Sequence, residues 1–194
     1  MIKEVKKYLL LSQASLLGLL LICCLIIPSV VIKNGGVSNF GNHRSTIVIY
    51  ILSFSLCIVF LCLAASALLK HKASYNFIGY LLFFLALQEL LVLISTFPRH
   101  ISFMFSDIHD YLGIVLFTYQ LVLSIWFILK IKNYKSTLIL IGEFLGNTIG
   151  LLSILKVIHF LFIGQFIGAI GFGVLLVTCL PTIIEKYQKT PETS

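Results

Sequence analysis

Apolar residues run through this chain in six long blocks separated by short polar segments. The blocks cover 8–32, 46–69, 75–97, 109–129, 137–157 and 161–184. A helix needs about 20 apolar residues to cross a hydrocarbon core of roughly 30 Å, and each block supplies them. The runs are continuous rather than alternating, and backbone groups in lipid must be satisfied internally. Helices are therefore predicted, not the strands of a barrel. The break between the last two blocks follows from length: 137–184 as one helix would run about 72 Å at 1.5 Å per residue. A turn is expected at 156–159. The chain reads as an all-α polytopic membrane protein, a single bundle of six transmembrane helices over 8–184. A short segment, 1–7, precedes it, and a tail, 185–194, follows.

Polar residues inside the blocks keep to helical faces. The fourth block carries His109, Gly113, Phe117, Gln120 and Ser124 at steps of three and four, which is one side of a helix. Gly79, Ala86, Glu89 and Thr96 make a similar stripe in the third, and Thr46, Tyr50, Ser53, Cys57 and Ala64 in the second. Lipid offers a Gln or Ser nothing, so these faces should turn inward. Gly142, Gly146 and Gly150, then Gly164 and Gly168, repeat the small-xxx-small spacing that lets helices approach closely. "GEFLG" at Gly142 and "GQFIG" at Gly164 look alike. On antiparallel helices they are expected at opposite depths, and so unrelated.

Composition agrees with the blocks. Charged residues make up 11% of the chain, against about a quarter in soluble domains, and mean hydropathy is +1.08. The net charge of +7 does not point to nucleic acid, because the basic residues flank apolar runs instead of forming a patch. They do orient the chain. With the N-terminus in the cytoplasm, ten lysines lie inside: Lys3, Lys6, Lys7, Lys70, Lys72, Lys130, Lys132, Lys135, Lys186 and Lys189. Only Lys33, Arg44, Arg99 and Lys156 lie outside. Both termini are thus expected in the cytoplasm, with the plasma membrane as the location. The basic start "MIKEVKK" is that of a signal peptide, but the apolar region after it is too long and no A-x-A-like site follows. A retained first helix is expected. Cys23, Cys24, Cys57, Cys62 and Cys179 all lie inside apolar runs without metal spacing, which makes them packing residues and a disulfide framework improbable.

Candidate chemistry gathers on the outer side. Glu89 sits eight residues before Phe97, about 12 Å deep. An ionised carboxylate there costs several kcal/mol unless paired or hydrated. Glu143 is shallower on the inner side, and Lys156 can snorkel. "FPRHISFMFSDIHDYLGIVLF" at 97–117 packs Arg99, His100, Asp107, His109 and Asp110 together. Asp107 and Asp110 fit an N-cap and an acid at the third helical position. His109 tops the polar stripe. Arg44, Glu89, His109 and Gln120 therefore make the main candidate set for a polar ligand, with Asn42, His43, Lys156, His159 and Gln165 beside them. His43, His100, Asp107 and His109 suit zinc by donor type, though not by spacing. No P-loop, H-E-x-x-H, nucleophile elbow or Rossmann glycine motif occurs.

Three short elements carry a family resemblance: "VSNFGN" with Ser38 and Gly41, the "FP" of Phe97 and Pro98, and His109 in "DIHDYLGIVLF". On these the chain resembles the six-pass proteins of the domain-of-unknown-function 998 family, distantly similar to DRAM and Sfk proteins. The resemblance spans 10–180 and implies a six-helix bundle with an outward polar region and lipid handling, without an assigned activity. The leading expectation is a non-enzymatic protein of the lipid bilayer, without a cofactor, whose outward pocket binds a lipid headgroup or other amphiphile. A zinc-dependent membrane hydrolase acting on lipids is the first alternative. A small proton-coupled transporter using Glu89 is the second.

Overall fold

The structure, a computed structural model, describes residues 1–32, 35–71, 75–98 and 103–189. It is all helical among these residues. Six helices are long and apolar enough to cross a membrane: α1 (Ile2–Ile26), α3 (Ile47–Leu69), α4 (Asn76–Thr96), α5 (Phe103–Ile131), α6 (Tyr134–Ile154) and α7 (Leu161–Lys189). A short α2 (Pro28–Ile32) and a 3₁₀ helix (Val37–Asn42) lie between α1 and α3.

Several helix limits differ from the sequence blocks, with α6 at Tyr134–Ile154 and α7 reaching Lys189, and two differences have a clear physical cause. The first apolar block does not run through to Ile32. Pro28 has no N–H to continue the helix and disfavours helical geometry in the residue before it. Ile27 is accordingly non-helical, at φ −131° and ψ 74°, and α1 starts at Ile2 instead. At the other boundary, α5 begins at Phe103, so Asp107 and Asp110 are not the cap and third residue of a helix but lie inside one. The turn expected before the last helix is present, with α6 ending at Ile154 and α7 starting at Leu161.

Five helices close a ring: α1 packs on α3, α3 on α4, α4 on α5, α5 on α7, and α7 back on α1. α6 stands outside it, against α7 and α5. Polar stripes face the ring's interior because lipid cannot satisfy them. Thr46, Tyr50, Ser53, Glu89, Thr96, His109, Gln120 and Ser124 are all buried. Leu25, Phe77, Phe84, Ile94, Val122 and Leu138 face outward as the apolar belt. The start of α1 and the end of α7 lie at one end of the bundle, with Lys186 Nζ of α7 donating to the Lys130 carbonyl of α5 at 3.1 Å. The 3₁₀ helix lies at the opposite end.

The join of α6 to α7 is made of glycine. A Cβ on Gly146 would come within 2.5 Å of the Gly168 nitrogen, and one on Gly164 would collide with the backbone of Gly150. The two similar sequence elements are therefore not at opposite depths, because the second glycine of each packs on the other. Gly142 does not share in this contact and faces open space.

Candidate functional site

Inside the ring, toward the 3₁₀ end, is a cavity of about 80 Å³ lined by all five ring helices. Leu16 and Leu20 come from α1, Tyr50 and Phe54 from α3, and Glu89 and Val92 from α4. α5 supplies His109, Gly113, Leu116, Phe117 and Gln120, and α7 supplies Gln165, Phe166 and Ala169. Val37 and Ser38 of the 3₁₀ helix complete the lining.

Hydrogen bonds between neighbouring helices fix the walls. Ser95 donates to the Val92 carbonyl at 3.0 Å, and its oxygen meets His109 Nδ1 at 2.8 Å. With its own proton committed, Ser95 accepts from Nδ1–H, which assigns the proton to that nitrogen. Thr96 likewise donates to Val92 O, and the Tyr50 hydroxyl donates to Thr96 at 3.0 Å, tying α3 to α4. Gln120 Nε2 stands 3.4 Å from Glu89 Oε1. Glu89 is 3% exposed, and this long contact is a weak offset to burying a carboxylate.

The roof is held from both sides. Val37 N–H donates to Gln165 Oε1 at 2.8 Å. Thr46 Oγ1 donates to the Phe40 carbonyl at 2.7 Å, and the fully buried Phe40 ring meets Phe162 edge-on. Gly41 presses so close to α3 and α4 that a Cβ there would lie 2.9 Å from the Tyr50 ring and 2.8 Å from Thr96. That contact accounts for the glycine in "VSNFGN".

Of the residues singled out in the sequence, Glu89, His109, Gln120 and Gln165 meet at this cavity. Arg44 is exposed on the segment before α3 and does not line it. His43, Lys156 and His159 are exposed, and Asn42 is half-buried at the end of the 3₁₀ helix. Asp107 is exposed while His109 is buried, and no three His, Cys, Asp or Glu among the described residues gather as metal ligands do. His100, the fourth of the zinc candidates, and Lys33, Lys72 and Arg99 lie outside the described residues.

Sequence reasoning missed the Ser95 contact to His109 and the roof contact to Gln165. Both join different elements, the first across 14 positions and the second across 128, and no periodicity within one helix carries such a pairing. It set Tyr50 and Phe117 on inward stripes but passed over Phe54 and Phe166, the other two rings at the cavity, because aromatic residues are common throughout the chain.

No protein-family model, curated protein or solved structure matches the chain.

Proposed function

We propose that this integral membrane protein binds the cationic head of an amphiphile, an ammonium group, in the ring cavity. The observation that supports this reading is the lining itself. One carboxylate, Glu89, and four aromatic rings face a cavity to which no Lys or Arg among the described residues contributes. Aromatic faces attract ammonium groups by cation–π interaction, and a carboxylate adds charge. A lipid headgroup held by Arg44 fits this lining less well, since among the described residues the ionisable side chains at the cavity besides Tyr50 are Glu89 and His109. The volume suits a head group and not a whole lipid, because sites for drug-sized ligands run from about 300 Å³ upward. The proposal includes the plasma membrane as the location, cytoplasmic termini, a non-enzymatic role and kinship with the domain-of-unknown-function 998 family. Two residues of that resemblance, Ser38 and His109, line the cavity.

Calorimetry on the detergent-solubilised protein tests the reading with tetramethylammonium, its N-dodecyl homologue and neutral tert-butanol. The two cations should bind and the alcohol should not, and tighter binding of the dodecyl compound identifies an amphiphile rather than a free amine. Glu89→Gln should weaken the cations at least about tenfold, or 1.4 kcal/mol. A Cβ at Gly113 meets nothing within 4 Å, so Gly113→Leu should fill the cavity and abolish binding while the protein still folds. Equal affinity in wild type and Glu89→Gln would overturn the assignment.

A further inference from the structure

A second buried carboxyl lies outside the ring cavity. Glu143 of α6 is fully buried, and neither of its oxygens has a hydrogen-bond partner. The groups that face it are the Ser124 hydroxyl from α5 and the Gly171 backbone from α7, where a Cβ would stand 2.7 Å from the Glu143 Cβ. Ser124 is itself an exception. The other buried serines among the described residues all have a hydrogen-bond partner: Ser12, Ser53, Ser95 and Ser153 donate to a carbonyl of their own helix, and Ser136 accepts from the Cys179 thiol. Ser124 Oγ is buried with no partner. So is Gln120 Oε1, four residues earlier on α5, one helical turn and about 6 Å away. The other end of the same amide faces Glu89.

These unspent atoms lie on or beside the inner face of α5, and one arrangement satisfies all of them except the second oxygen of Glu143. A protonated Glu143 donates to Ser124 Oγ, Ser124 donates to Gln120 Oε1, and the Gln120 amide donates to Glu89. An ionised Glu143 breaks the pattern, because a carboxylate has no proton to give and one hydroxyl is too little to hold its charge in this setting.

We propose that Glu143 is a resident proton-binding carboxyl, and that Ser124 and Gln120 link its proton to Glu89 along the inner face of α5. Loss of the proton from Glu143 would leave Ser124 free to turn its hydroxyl toward the new carboxylate, withdrawing it from Gln120. Protonation at one end of the chain is thereby felt at the cavity carboxylate at the other. The chain stands whether or not an ammonium group occupies the cavity.

Infrared difference spectroscopy of the full chain in nanodiscs, in H₂O and D₂O at neutral pH, tests this. The carbonyl stretch of a protonated, deuterium-sensitive carboxylic acid should be present. It should vanish in Glu143→Gln, persist in Glu89→Gln and change frequency in Ser124→Ala. The Ser124→Ala measurement keeps Glu143 and carries the test alone if Glu143→Gln fails to fold. An acid band that survives Glu143→Gln, or one unmoved by Ser124→Ala, would overturn the proposal. So would stabilisation by sodium over potassium that disappears in Glu143→Gln, which would assign a metal cation to the carboxylate instead.

Discussion

Lys132 is held at φ 53°, in the left-handed region that a side chain bearing a Cβ adopts at a cost. Its N–H donates back to the Ile128 carbonyl at 2.8 Å, the single bond that closes a helix through a left-handed residue. Glycine usually fills that position because it lacks the Cβ that crowds the neighbouring carbonyl. Lys132→Gly should therefore stabilise the protein by about 1 kcal/mol, read as a shift in SDS-induced unfolding from mixed micelles. An unchanged or lowered stability would mean that the lysine's charge at the bundle end outweighs its backbone strain. Lys156, at φ 60°, closes α6 in the same region.

At the scale of elements, α6 is the helix most dependent on small residues. It lies outside the ring, and its seat on α7 works because glycine leaves both backbones bare. Without water to drive helices together in lipid, close packing has to supply the association. Gly146→Ala places a methyl group against the Gly168 backbone, which cannot yield as a flexible side chain would. The expected loss is about 2 kcal/mol. Gly142→Ala on the same helix meets nothing within 4 Å and should gain about 0.5–1 kcal/mol from helix propensity. Opposite signs for two identical substitutions on one stripe, measured in the same unfolding assay, would establish that contact and not composition sets their effect.

For the whole molecule, the ring places the roofed cavity at the end away from the start of α1 and the end of α7. The side of the membrane on which that end lies follows from the lysine distribution, and the expectation is outward. A membrane-impermeant maleimide applied to intact cells checks it. Ser45 and His71 are exposed at opposite ends of α3. Ser45→Cys should be labelled at once, and His71→Cys only after permeabilisation. The reverse pattern would put the cavity on the cytoplasmic side and require its ligand to come from there.

The sequence by itself determined the number of membrane-crossing helices, their approximate limits and the inward polar faces. These are local properties: length against bilayer thickness, and a 3.6-residue period that sets Glu89, His109 and Gln120 on helical stripes. It misjudged Pro28 as part of a continuous helix and Asp107 as a cap. In both cases a block of apolar residues was read without the backbone chemistry at its edge. What only the tertiary structure decided is who meets whom. That His109 finds Ser95, that Gln165 holds the roof, that Arg44 stays outside, and that Gln120 and Ser124 lie between two buried carboxyls all depend on how helices order around a ring. The inward demand of polar groups is the same for any ring order. Close contacts between particular side chains, such as the glycine seat of α6, select one.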